Sequence, residues 1–194
     1  VWKKGIDDTW LQNGRTIEPD QIVVRYADVL LMYAEAKMEL NEIDQSVLDA
    51  LNAVRARAYK VAPAATSMYP AVASTNQSEL RRIIRMERRM ELAAEGLRYM
   101  DIIRWKLASK VLNKPIYGML DPVDLKAKVV DKGLWFFPGI PTIDEDGIPD
   151  FKAMADAGLI KNLVPCAWND RQYLWPIPTA EIQINPNITQ NPGY

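Results

Sequence analysis

Arg25-Tyr26-Ala27-Asp28-Val29-Leu30-Leu31-Met32-Tyr33-Ala34-Glu35-Ala36 is the stretch on which the fold turns. At about 100° per residue, Tyr26, Val29, Leu30, Leu31, Tyr33, Ala34 and Met38 cover an apolar arc wider than half the circumference. Asp28, Glu35 and Glu39 make a narrow acidic stripe opposite. The pattern predicts a helix over 24–40 that needs covering on two sides. After the short turn Asn41-Glu42-Ile43-Asp44, a second helix begins, with Ser46 as its expected N-cap and Asp49 three residues on. Val47, Ala50, Leu51, Val54 and Ala58 form its apolar face. Two helices joined by a tight turn have the size of one tetratricopeptide unit, about 34 residues. A single unit cannot bury both of its faces and therefore needs neighbours.

Downstream, 60–77 is an Ala-, Ser- and Pro-rich connector. Asn76 then caps a third helix with Glu79 at its third position, and the helix is expected to reach Glu95. Gly96 suits the left-handed position after a helix end, with Leu97 placed to touch Leu92. A fourth helix over 98–108 presents Tyr99, Ile102, Ile103 and Trp105. Ten of the thirteen prolines fall in 111–194, which reads as loops with short elements. The Asp146-Gly147 step predicts a hairpin, 152–159 a helical turn or two, and Thr179 the cap of a short helix near the C-terminus. The expected class is all-α: a tetratricopeptide-like helical array over 24–110, a loop-rich region over 111–194 that packs back on the helices, a small β-hairpin, and one domain over 1–194.

Composition removes several chemistries. The 194 residues are 48% apolar and 25% charged, which is ordinary for a globular domain. With 24 Lys and Arg against 25 Asp and Glu, the net charge is −1, so the basic footprint of a nucleic-acid binder is missing. No histidine is present, which excludes a Ser-His-Asp triad, a Cys-His pair and an H-E-x-x-H zinc site. The single Cys166 excludes an internal disulfide and a Cys-rich metal site. No run approaches the ~18 apolar residues of a membrane span.

The third helix carries the sharpest chemical question. Arg81, Arg82, Arg85, Arg88 and Arg89 share one sector, whereas Glu87 and Glu91 sit within the apolar face. Carboxylates at i and i+4 lie about 5–6 Å apart, close to the about 5–5.5 Å of a retaining glycosidase pair. Two acids on one helix face cannot easily flank a glycosidic bond, so Glu87 and Glu91 are expected instead in structural ion pairs, with Arg25, Arg98 or Arg104 as partners. Asp144, Asp146 and Asp150 surround Gly147, but their order departs from an EF-hand loop, so no metal is expected. Six tryptophans are the other resource. Trp105 and Trp175 lie in periodic apolar segments and are expected in the core. Trp2, Trp10, Trp135 and Trp168 lie in loop-like sequence. An aromatic face flanked by Asn and Asp is what a sugar surface needs, which makes Trp10, Trp135 and Trp168, with Asn169 and Asp170, the candidate glycan contacts.

Three groups of residues resemble one family. They are the stretch 25–36 quoted above; Glu87-Arg88-Arg89, Glu91-Leu92, Glu95-Gly96, Arg98, Asp101 and Arg104-Trp105; and Leu174-Trp175-Pro176-Ile177-Pro178 with Glu181-Ile182, Asn185-Pro186 and Gln190-Asn191-Pro192-Gly193-Tyr194. In this order they resemble the SusD/RagB group of nutrient-binding outer-membrane lipoproteins. The resemblance implies a tetratricopeptide-like helical scaffold with inserted loops and a lipid anchor at the outer face of a Bacteroidetes-type outer membrane. It implies capture of an oligosaccharide or peptide nutrient and hand-over to a SusC-like TonB-dependent transporter. It also implies that this chain is the C-terminal portion, with the lipidated cysteine upstream, so that Cys166 is not the anchor. The motifs are scaffold motifs and carry over no sugar contact. The expected function is thus non-enzymatic glycan binding with no cofactor. The alternatives are a helical-repeat adaptor for peptide or protein, and a glycan-cleaving enzyme using Glu87 and Glu91.

Overall fold

A computed structural model describes residues 23–134 and 138–194. Helix α1 runs Tyr26–Glu39, α2 Gln45–Ala58 and α3 Gln77–Glu91. Helix α1 packs on both of the others. Leu31, Ala34 and Met38 from α1, Val47, Leu51 and Val54 from α2, and Leu80 and Ile84 from α3 close the main core. The opposite side of α1, with Tyr26, Val29, Met32 and Tyr33, is exposed, so the wide apolar arc is covered on one side only among the described residues. Asn41 turns the chain between α1 and α2 with a positive φ of 57°.

Asp44, rather than Ser46, is the N-cap of α2. Its side chain accepts from the Ser46 backbone N–H at 3.0 Å, because Ser46 is already inside the helix. Asp44 also pairs with Lys37 at the end of α1, so one carboxylate ties the turn to both helices. The Lys37 ammonium and the Ser46 hydroxyl hold its carboxyl down at about 2, against an ordinary 3.8. A depressed carboxyl pKa contributes stability above the unfolded value and loses it as pH falls through the folded one. The turn is therefore expected to lose this support between about pH 4 and about pH 2. Thermal melts across that window should fall more steeply for the native chain than for Asp44→Asn, which keeps a capping side chain without the titration. Parallel melts would exclude the linkage.

Helix α3 begins on the Asn76 cap, which accepts from the Glu79 N–H at 3.0 Å. It stops at Glu91 instead of Glu95. The Arg25 guanidinium takes the carbonyl of Glu91, one of the acceptors a helix end leaves open, and Ala94 (φ 64°) and Gly96 (φ 80°) turn the chain through left-handed conformations. The fourth expected helix is broken in two, α4 at Arg98–Arg104 and α5 at Ala108–Leu112, because Lys106 is left-handed at φ 56°.

The region beyond is held by short elements. Strand β1 (Ile116–Gly118) precedes α6 (Pro122–Lys128), and β2 (Thr142–Ile143) pairs antiparallel with β3 (Pro149–Asp150) around the expected hairpin. Helix α7 (Lys152–Asp156) leads into β4 (Lys161–Val164), which pairs back on β1 across more than forty residues of chain. The sequence offers no alternation there, and the pairing is a tertiary result. Helix α8 spans Thr179–Ile184 with Pro178, not Thr179, at its N-cap. At the tip of the β2–β3 hairpin, Gly147 (φ 73°) lies against α3, where a Cβ would come within 2.8 Å of Met86 Cγ. The acidic residues around it are occupied. Asp146 pairs with Arg85 and Lys110, and Asp144 with Lys110. A second apolar cluster joins Ile102, Leu107, Ala108 and Ile148 with Trp105, Trp168 and Tyr173. Trp175, expected in the core, is instead 76% exposed, because its segment is extended and no described element packs over the ring. Among the described residues no helix is long and apolar enough to cross a membrane.

Candidate functional site

Of the expected sugar contacts, Trp10 and Trp135 lie outside the described residues. Trp168 is half-buried and meets Tyr173 edge to face, with ring centroids 5.2 Å apart. Its backbone N–H donates to Asn113 at 2.6 Å, and its indole Nε1 is buried without a hydrogen-bond partner. Asn169 accepts from the Arg171 N–H at 3.1 Å and caps the 3-10 turn Asp170–Tyr173, with Gln172 completing a capping box. Asn169 is thus engaged in a turn beside the indole.

The same turn builds a shallow groove of about 520 Å³ from Lys106, Asp170, Arg171, Tyr173, Leu174 and Gly193. The left-handed Lys106 swings its Nζ to 4.4 Å from the Tyr173 ring centre. Arg171 lies 4.9 Å from the ring centre of Tyr194 and donates to the Gly193 carbonyl at 2.9 Å. An aromatic ring beside a carboxylate, an ammonium and a guanidinium can hold a polyol through ring contact and hydrogen bonds. Sequence reading missed Lys106, Arg171, Tyr173 and Tyr194.

Glu87 and Glu91 lie on α3 with side chains 14% and 7% exposed. Arg55 Nε donates to Glu87 at 2.8 Å. Arg25 pairs with Glu91 and also, at 2.8 Å, with Glu95, while Arg57 reaches Glu91 at 2.6 Å. Arg55 and Arg57 come from α2 and were not among the expected partners. Arg104 goes elsewhere: it holds Glu35 and Asp101 beside a buried Arg88, which itself bonds Asp28 at 2.8 Å and Asp101 at 3.1 Å. Trp105 Nε1 completes this centre by donating to Glu35 at 2.7 Å. Asp28 and Glu35 of the acidic stripe on α1 therefore face inward, whereas Glu39 stays exposed and pairs with Arg81. Arg98 makes no ion pair among the described residues. It lies 5.9 Å from the Trp105 ring centre and turns toward a cavity, because Asp101, the acid acting on it, is already shared by Arg88 and Arg104.

That cavity, about 530 Å³, opens between α3, α4, β1 and α6. Ile102, Tyr117, Leu125, Phe151 and Ile160 make its walls predominantly apolar, and Arg89, Arg98 and Lys114 supply its charge. Burial pushes both guanidiniums below their ordinary value, and for Arg98 the neighbouring Arg89 charge acts in the same direction while Asp101 opposes it. Among the described residues, no set of three or more His, Cys, Asp or Glu side chains is placed to hold a metal ion.

The sequence pattern of the SusD family matches residues 1–194. SusD-like protein P2 of Formosa agariphila is 32% identical over 94% of this chain and 27% of its own length. Among solved structures, a SusD-like carbohydrate binding protein from Bacteroides fragilis is 34% identical over 86% of this chain and 28% of its own, with a TM-score of 0.60. A SusD homolog from Bacteroides thetaiotaomicron is 27% identical over 95% of this chain and 30% of its own, with a TM-score of 0.57. The chain thus spans about a quarter to a third of the length of these relatives. With the three helical and C-terminal motifs in order and the mostly helical array they build, this chain belongs to the SusD family.

Proposed function

We propose that this chain is part of a non-enzymatic glycan-binding component of an outer-membrane nutrient uptake system, which delivers oligosaccharide to a SusC-like TonB-dependent transporter. In this reading the full-length protein is held by a lipid anchor at the extracellular face of the outer membrane. The observation that carries the reading is the 34% identity, over 86% of this chain, to a protein described as a carbohydrate binder. The groove at Tyr173, with Lys106, Asp170 and Arg171 around it, supports the same chemistry. A sugar would lay its C–H face on exposed aromatic surface while the charged side chains hydrogen-bond its hydroxyls, and no bond would be broken. Trp168 contributes there by bracing Tyr173.

Calorimetry of the full chain against a panel of oligosaccharides and peptides tests the proposal. Saturable heat with at least one oligosaccharide, and no new reducing ends after prolonged incubation, is the expected result. Heat with peptides alone would favour the helical-repeat adaptor. Sustained release of reducing ends, lost in Glu87→Gln, would establish an enzyme instead.

A further inference from the structure

The cavity between α3, α4, β1 and α6 is a different kind of site from the sugar groove. Its described lining contains Arg89, Arg98 and Lys114 but no Asp or Glu, in a chain whose net charge is −1. None of the three cations has an ion-pair partner among the described residues, although every buried acid of the neighbouring centre has one. Arg98 is flanked by Arg89, and the acid acting on it, Asp101, is spent on Arg88 and Arg104. A lysine in such a place could shed its proton, whereas a guanidinium stays charged in proteins. Arg98, half-buried beside apolar walls with its acid spent elsewhere, therefore leaves a lasting demand for an anion, and Arg89, more exposed, adds its charge at the same cavity. The walls behind them, Ile102, Tyr117, Leu125, Phe151 and Ile160, offer little to a hydroxylated sugar, and the volume lies within the range of small-molecule pockets, about 300–1,000 Å³.

We propose that this cavity binds an amphiphilic organic anion, with its carboxylate or sulfate held by the Arg89 and Arg98 guanidiniums and its alkyl or aryl body on the apolar walls. The planar fork of arginine matches either headgroup through paired N–H donors. Lys114 adds charge at the same cavity. The site is independent of the glycan reading, and either can fail without the other.

Calorimetry of the full chain with decanoate, decyl sulfate, decanol and acetate decides the matter. Decanoate or decyl sulfate is expected to bind saturably at one site. Decanol should bind at least about tenfold more weakly, one charge-assisted contact being enough for that ratio, and acetate should give no heat. The double variant Arg89→Gln/Arg98→Gln should lower affinity for the anions at least about tenfold and leave decanol unchanged. Leu125→Trp fills the cavity from α6 while keeping both guanidiniums. It should lose the anions too, and it decides the outcome if the double variant does not fold. Equal binding of decanol, unchanged anion binding in both variants, or no binding of either anion would overturn the assignment. A glycan titration run alongside should be unaffected by Leu125→Trp.

Discussion

Replacing Arg88 with Met is expected to cost about 3–5 kcal/mol of unfolding free energy, the largest loss from any single ionic substitution in this chain. Arg88, Asp28 and Asp101 are only 5%, 6% and 4% exposed. Arg88 Nη1 donates to Asp28 at 2.8 Å and its Nε to Asp101 at 3.1 Å, with Glu35 at 4.0 Å, so one guanidinium joins α1, α3 and α4. Removing it leaves Asp28 without its cation and Asp101 with Arg104 alone, both away from water. An uncompensated buried carboxylate costs more than the intact network contributes, because desolvation is no longer offset. The triple change Arg88→Met, Asp28→Leu, Asp101→Asn should accordingly recover much of the loss. Urea unfolding followed by helical circular dichroism measures both. A loss under about 1 kcal/mol for the single variant, the size of an exposed pair, would mean that the centre is solvated.

The second large effect is expected at Leu31→Ala, about 2–5 kcal/mol. Leu31 is fully buried on α1 at the junction of the main core, where α1 meets both α2 and α3. Close-packed neighbours relax only partly into a void, so a cavity term adds to the lost transfer energy. The adjacent Met32 is 45% exposed, and Met32→Ala should stay within about 0.5 kcal/mol. The contrast within one pair of neighbours is the test. Similar losses at both positions would mean that the outer face of α1 is also covered in solution.

That outer face shows how periodicity both succeeds and misleads. The arc through Tyr26, Val29, Leu31 and Met38 was legible as helix, but the two-sided cover expected of it is one-sided among the described residues. The side that is packed was not legible, because the buried arc includes Asp28 and Glu35, which hydropathy alone assigns to water. They turn inward because Arg88 and Arg104, some sixty to seventy residues away in sequence, reach them. In the same way, Glu87 and Glu91 inside an apolar face call for cations by their position. Arg25 was legible as a partner, whereas Arg55 and Arg57 depend on how α2 lies beside α3. Trp175 erred in the other direction, since an apolar run flanked by prolines says nothing of whether anything packs upon it. Of the candidate groove, Asp170 was singled out from the sequence and Trp168 packs on its Tyr173, but Lys106, Arg171, Tyr173 and Tyr194 meet only through the break between α4 and α5 and the return of the C-terminal segment.

Local order along the chain determined α1, α2, the start of α3, the Asn76 cap, the Gly96 turn and the β2–β3 hairpin, together with the exclusion of histidine-dependent chemistry, an internal disulfide and a Cys-rich metal site. These follow from interactions within a few residues or from composition. The β1–β4 pairing, the ion centre at Arg88 and the cationic apolar cavity were decided only by tertiary structure. Each depends on groups far apart in sequence: backbone hydrogen bonds join the two strands, charge pairing closes the ion centre, and desolvation sets the cavity, and none of these has an energy until the chain has brought the groups together.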